Sequence, residues 1–469
     1  MKKRRREKNY TNILITGLAD KGFGVGRDEA GEVVFVEKAV PGDVVNVYSP
    51  RKKKNVRFGL VSEYVKLSPH RVRPFCEHFG TCGGCKYQHL DYKIQLQEKE
   101  KTVQQALQRI GKVAPESFEP ILAAEHTSHY RNKLEFAYSS LRWLTREEMD
   151  KGATSADNVL GFHIAGVFDK ILPIHECHLQ VEPSNAIRNA LRDIGEEQNL
   201  EFYDAKNHTG FLRNVVIRIT TTGNIMVIVA FGKDDQKKVR NYLSEVKRQF
   251  PEITSLYYCI NTKLNDYYAD LDMVLYEGEP VITEMLGNVK FNIGPKSFFQ
   301  TNTHQAKQMF DIVKEYCGLT GRENVYDLYT GLGSIALYIA DSCRQITGIE
   351  EIAAAIDDAK INAALNNITN ATFYAGDVKD ILDDSFSQKH GKPDVVITDP
   401  PRVGMHADVV STLLKLEAPK IVYVSCNPAT QARDIQLLSE KYRVTRVKPV
   451  DMFPQTYHIE SVALLELVK

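Results

Sequence analysis

Across residues 11–65 short apolar runs alternate with glycine-rich and charged breaks, the pattern of a small β-barrel. Ile13-Leu14-Ile15 leads to Gly22, Gly24 and Gly26, Val33-Val34-Phe35-Val36 precedes the turn Pro41-Gly42-Asp43, and Val44-Val45-Asn46-Val47 follows. Residues 90–112 place Leu96, Val103, Leu107 and Ile110 at helical spacing, which predicts an amphipathic helix with those four facing a core. From Tyr130 to about Met285 the chain is strand-rich, with runs at 215–220 and 225–231 separated by polar turns, and it shows no internal repeat. Beyond about residue 300 strands and helices alternate, which predicts a parallel sheet.

The length of 469 residues allows two or three domains. No run of eighteen apolar residues exists, and the basic start has no long apolar segment after it, so neither a membrane span nor a secretory signal is expected. Eight cysteines in a chain this long make no disulfide framework and point to a reducing, cytoplasmic location. The net charge of zero conceals an asymmetry: residues 1–75 carry 17 Lys and Arg against 8 Asp and Glu, the rest 43 against 52. A basic module on an acidic body points to a polyanion, nucleic acid first. Arg51-Lys52-Lys53-Lys54 is expected on a loop of the barrel, where phosphate contacts give affinity without sequence choice. Arg131, Lys133 and Arg142 are candidates to touch RNA, with solvated surface charge the expected reading.

The α/β segment concentrates polar groups at successive strand ends, where open sheets bind their ligands. The strand at 324–329 runs into Thr330-Gly331-Leu332-Gly333 and a helical stretch from Ser334. The next strand ends in Glu350, 17 residues past Gly333, placed to accept from ribose hydroxyls. The third ends in Gly376-Asp377, suited to an adenine amino group, and the fourth in Asp399-Pro400-Pro401-Arg402. Together they outline a nucleoside pocket; a phosphate-binding P-loop is absent. The run at 420–424 then delivers Cys426 to a strand's carboxyl end, before Asn427-Pro428, with Glu460 downstream. A free cysteine is ordinarily buried filler. Here its place at a strand end and its downstream carboxylate suggest covalent catalysis on an electron-poor ring.

Cys76, Cys82 and Cys85 lie within ten residues in a loop with Gly80, Gly83 and Gly84, a spacing that lets three thiolates converge on a metal. The nearest further thiol downstream is Cys177; zinc and a 4Fe–4S cluster both accept four thiolates, and spacing does not choose between them. Cys259, Cys317 and Cys343 are read as core residues.

Two sets of strings carry a family resemblance. Residues 21–26 (Lys-Gly-Phe-Gly-Val-Gly) with Val40-Pro41-Gly42-Asp43 resemble a TRAM domain, an RNA-binding barrel found on RNA-modifying enzymes. The strings at 297–302, 399–404 and 425–430, with the ten residues from Asp451 to Glu460, resemble the S-adenosylmethionine-dependent RNA uracil-5-methyltransferases. The likeness is to the 23S ribosomal RNA branch, with its TRAM domain and iron–sulfur cluster. The resemblance implies a Rossmann-like S-adenosylmethionine methyltransferase domain (300–469), an N-terminal barrel (1–66) and a strand-rich α+β central domain (67–299). It implies a 4Fe–4S cluster on Cys76, Cys82, Cys85 and Cys177, and S-adenosylmethionine held by Gln300, Tyr329, Ser334, Glu350, Asp377 and Asp399. The expected substrate is 23S ribosomal RNA, for a monomer working off the membrane. Thr330 stands where relatives often have cysteine, and Ser334 where some have asparagine.

The implied chemistry forms 5-methyluridine. Cys426 adds to carbon 6 of uracil, carbon 5 then accepts the methyl group, and Glu460 removes the carbon-5 proton. An ordinary thiol is only about 7% ionised at pH 7.4, so a site favouring the thiolate is expected. The target base must be unpaired or extruded. Alternatives are a tRNA uracil-5-methyltransferase and a non-catalytic RNA-binding or assembly factor, against which the intact Cys426 and Glu460 argue. Amino-group methyltransferases share Asp-Pro-Pro, but usually continue with an aromatic where this chain has Arg402.

Overall fold

The computed structural model describes residues 7–53, 56–164 and 166–468. Strands Lys8–Leu18, Gly24–Arg27, Val33–Glu37, Val44–Lys53 and Val56–Lys66 close into the N-terminal barrel. Alternation turns Ile13, Ile15, Val34, Val36, Val45 and Val47 into its core. Gly26 is required by closeness: a Cβ there would lie 2.3 Å from Ile13 Cγ2. The described part of the basic run is not a loop. Arg51, Lys52 and Lys53 extend the Val44–Lys53 strand, because its hairpin partner Val56–Lys66 pairs with it as far as Lys53 against Val56. Lys54 and residues 1–6 lie outside the described residues.

Helix α1, Tyr92–Ala106, is capped by Asp91, whose side chain accepts from Lys93 N at 2.9 Å, and it ends in a wider turn over Leu107–Gly111. Its buried face departs from the sequence expectation. Val103 and Leu107 are buried, but Leu96 is half-buried and Ile110 is 41% exposed. The residues buried instead include Gln95, Glu98 and Lys99.

The central domain is built on a seven-stranded sheet, in spatial order Val274–Gly278, Ser255–Ile260, Ile225–Phe231, Leu212–Ile219, Lys133–Leu141, Ala156–His163 and Ile171–Pro173. Every residue of Ile225–Phe231 is buried, as a central strand covered on both faces requires. Helices Ser184–Glu197 and Gln236–Gln249 pack on one face. On the other, Met226 and Ile228 share a core with Phe310 and Ile312 of helix Thr303–Cys317, so the central and C-terminal segments are joined by apolar contact.

The C-terminal sheet has eight strands in the order Ala371–Ala375, Gln345–Glu350, Asn324–Leu328, Val395–Thr398, Lys420–Ser425, Glu460–Leu467, Tyr442–Val450 and Ser117–Phe118. The first five are parallel, and Glu460–Leu467 is antiparallel to both its neighbours. This is the methyltransferase architecture expected from the sequence. All five parallel strands point their carboxyl ends to one edge, and the antiparallel strand Glu460–Leu467 begins at that same edge.

Candidate active site

Ser425 pairs with Ser461 where Lys420–Ser425 ends and Glu460–Leu467 begins, so Cys426 and Glu460 are the next residues along two adjacent strands. Asn427 holds the turn after Cys426: its side chain accepts from Ala429 N at 3.1 Å, capping the helix that starts at Pro428. It also donates to Arg402 O at 2.9 Å, which ties the cysteine turn to the loop following Asp399.

A line of carboxyl groups leads to this pair. Glu350 accepts from Gly331 N and Ile352 N, each at 3.1 Å, and so fastens the second strand end to the glycine turn. Asp327, one strand in, accepts from Thr330 Oγ1 at 2.5 Å; burial, together with the charge of Glu350, pushes its pKa to about 7. Burial and the charge of Asp327 likewise raise Asp399 to about 7. Glu460 is raised well above the usual carboxylate range by burial and by Asp399, with Arg402 opposing.

Cys426 is held as the thiol by the protein's own groups. Its thiol is pushed up to about 11 by burial and then by Glu460 and Asp399, against the pull of Arg402. Burial and the two carboxyls thus oppose the thiolate, and a cation beside the sulfur would favour it.

Tyr329 sits at the end of Asn324–Leu328 with a left-handed φ of 65°, and burial with the charges of Asp377, Asp434 and Glu350 raises its phenol to about 12. Those charges place Tyr329, Glu350 and Asp377 around one corner. Asp377 caps a short helix by accepting from Lys379 N at 3.1 Å, and Ser334 opens the helix after Gly333, half-buried. The glycine turn fits a close ligand, because Gly331 has a φ of 57° and a Cβ there would meet nothing within 4 Å. Gln300 lies apart from this corner in sequence, its carbonyl accepting from Asn132 Nδ2 at 2.9 Å.

The cysteine loop gathers as well. Cys76, Cys82, Cys85 and Cys177 line one cavity of about 560 Å³. Burial raises all four, Cys82 to about 11 and Cys85 to about 12, and Cys82, Cys85 and Cys177 each feel others of the set. Among the described residues no three His, Cys, Asp or Glu side chains stand close enough to hold a single metal ion. Cys259, Cys317 and Cys343 are buried core residues, as expected.

Comparison with known proteins agrees with this arrangement. The model of the tRNA (uracil-5-)-methyltransferase family matches residues 287–468, and that of the TRAM domain matches 4–48. An uncharacterized RNA methyltransferase of Bacteroides thetaiotaomicron is 50% identical over 439 residues, 93% of this chain and 97% of its own. Another, from Chlorobaculum tepidum, is 38% identical over 99% of this chain and 97% of its own. The chain belongs to the RNA uracil-5-methyltransferase family. Among solved structures, the Pyrococcus abyssi tRNA (uracil-54, C5)-methyltransferase in complex with S-adenosyl-L-homocysteine is similar, with a TM-score of 0.74 and 30% identity, covering 96% of this chain and 99% of that one.

In this uracil-5-methyltransferase several site residues escaped the sequence reading. Asp327 carried a signal, a carboxylate inside an otherwise apolar strand. Arg131 departs from the expectation of solvated charge: its guanidinium lies 5.2 Å over the Phe453 ring and its Nε is buried without a hydrogen-bond partner in the described structure. The His458 ring lies 4.2 Å from that of Tyr457, tilted by 37°, and 3.4 Å from the Arg402 guanidinium. Burial and the cations Arg402, Arg131 and Lys99 lower its pKa to about 4, so it is neutral at pH 7. No helix among the described residues is long and apolar enough to cross a membrane.

Proposed function

We propose that this methyltransferase forms 5-methyluridine in RNA, with Cys426 as nucleophile and Glu460 as base. The observation that carries the reading is the pairing of Ser425 with Ser461, which sets a thiol and a buried carboxyl side by side at the ligand edge of the sheet. Cys426 gives its proton to solvent and its Sγ bonds to carbon 6 of uracil, breaking the carbon 5–carbon 6 π bond and leaving an enolate over carbon 5 and the carbon-4 oxygen that can take a methyl group. S-adenosylmethionine supplies that methyl on a cationic sulfur, whose charge favours the thiolate and the ionised carboxyls. Tyr329, Ser334, Glu350, Asp377, Asp399 and Gln300 are the residues proposed to hold it, and the open glycine turn and the acidic strand ends fit a nucleoside with a cationic sulfur. Glu460 then takes the carbon-5 proton as the sulfur leaves carbon 6, and its raised proton affinity suits that last step.

The proposed substrate is 23S ribosomal RNA, on the resemblance to the branch that carries both a TRAM barrel and a cluster. Transfer RNA is the second reading, favoured by the likeness to the Pyrococcus abyssi enzyme across nearly the whole of both chains. Nucleoside mass mapping of ribosomal and transfer RNA from cells with and without the protein separates them. Loss of 5-methyluridine from neither RNA would reject both.

The barrel is proposed to supply salt-dependent affinity. Replacing the exposed Lys21, Arg27, Lys38 and Lys52 with glutamine is expected to flatten the dependence of RNA binding on salt, by roughly 0.7 in slope for each phosphate no longer neutralised. An unchanged slope would take these residues out of RNA docking.

Cys76, Cys82, Cys85 and Cys177 are proposed to hold a 4Fe–4S cluster, since four thiols lining one cavity form the donor set such a cluster takes. Protein purified without air is expected to be brown, with iron and acid-labile sulfide in equal amounts, and Cys82→Ser to lose both. Colourless protein carrying stoichiometric zinc would overturn the assignment.

A further inference from the structure

Residues 451–459 connect Tyr442–Val450 to Glu460–Leu467 and end on Glu460. Four consecutive carbonyls of this loop are each taken by a residue from elsewhere in the chain. Asn302 Nδ2 donates to Met452 O at 3.0 Å, Lys99 Nζ to Phe453 O at 3.0 Å, and Tyr130 OH to Pro454 O at 2.9 Å. Lys86 N and Tyr87 N, directly after Cys85, both donate to Gln455 O, at 2.8 and 3.0 Å. Side chains reinforce this from helix α1. Gln95 Nε2 donates to Gln455 Oε1 at 3.0 Å while Gln455 N donates to Gln95 Oε1 at 3.2 Å, a reciprocal amide pair between residues 360 apart. Lys99 Nζ donates to Asp451 Oδ1 at 2.5 Å, and Tyr92 OH to Asp451 Oδ2 at 2.9 Å. Gln455 has a left-handed φ of 66°, a conformation its side chain disfavours unless surroundings hold it.

Apolar packing would bury the same helix face without so many directional requirements. Buried polar groups fix an arrangement because each must meet its partner in one geometry. We propose that the cysteine-bearing segment and helix α1 position the catalytic base, acting on residues 451–459 as a clamp in which Gln95, Lys99 and Gln455 are the positioning residues. The inference rests on the reading of Glu460 as the base. Cys426 sits on the neighbouring strand, which none of these bonds touches, so the clamp bears on elimination more than on addition or methyl transfer. Gln95→Met keeps the volume and removes the amide pair, together with the Gln95 Nε2 bonds to Tyr87 O and Leu90 O.

The experiment compares the native full chain, Glu460→Gln and Gln95→Met on RNA with ordinary uridine and S-adenosylmethionine. It measures denaturant-resistant protein–RNA adduct and turnover separately. Gln95→Met is expected to lower kcat on the order of tenfold to a hundredfold, as small misplacements of a catalytic group do. Single-turnover methyl incorporation should change little, and adduct should accumulate as in Glu460→Gln. Tyr130→Phe, which deletes the bond to Pro454 O and leaves helix α1 untouched, is expected to show a weaker effect of the same kind and carries the comparison if Gln95→Met fails to fold. Full turnover in both variants, or loss of adduct and turnover together, would overturn the clamp. If Glu460→Gln itself gave no adduct, the base assignment would fall first and the clamp with it, a result distinguishable from failure of the clamp alone.

Discussion

Cys426→Ala is expected to abolish both methyl transfer and the covalent protein–RNA adduct, while Glu460→Gln is expected to keep the adduct and lose turnover. The difference follows from the order of bond changes. Addition at carbon 6 needs the sulfur, so without it carbon 5 stays a poor nucleophile and nothing downstream occurs. Glutamine at 460 cannot take the carbon-5 proton, yet addition and methyl transfer precede that step. Replacing the carbon-5 hydrogen with fluorine blocks the native protein at the same place, so 5-fluorouridine RNA should give an adduct that depends on S-adenosylmethionine. Denaturing electrophoresis of labelled RNA reads all three cases. Retained methylation in Cys426→Ala would end the covalent account; full activity in Glu460→Gln would require another base, with Asp399 at the neighbouring strand end the first to test.

The second large effect concerns stability. Lys99 is 2% exposed and its partner Asp451 is fully buried. Burial lowers the Lys99 pKa and the charge of Asp451 opposes that shift, so the two ions depend on each other. Lys99→Met strands the Asp451 carboxylate with Tyr92 as a remaining donor, and unfolding free energy should fall by about 3–5 kcal/mol. The double change Lys99→Met with Asp451→Leu should recover much of this loss, because it removes the unpaired charge as well. Urea unfolding of the three proteins measures both. A double mutant no more stable than Lys99→Met would mean that packing of the lysine stem outweighs the charge pair.

The same residues show where sequence reading stops. The parallel strands were legible because they are continuous apolar runs, such as 395–397 and 421–424, bounded by glycine, proline and aspartate. The catalytic pair was legible because a cysteine and a glutamate occur in recognisable strings at strand ends. Helix α1 was misjudged on one face, since periodicity assigns glutamine and lysine to solvent and their partners Asp451 and Gln455 are more than 350 residues away in the chain. The basic residues 51–53 concealed a strand end for a similar reason: register against Val56–Lys66 sets their conformation, while charge dominates their appearance. The raised pKa of Cys426 depends on burial and on two carboxyls brought in from other strands, which no local string encodes.

The claim that carbon 5 of uracil is the methyl acceptor is tested most directly by RNA carrying tritium at carbon 5 of uridine. With this protein and S-adenosylmethionine, each methyl group gained should release one tritium to water. Methyl incorporation with the tritium retained would contradict the account.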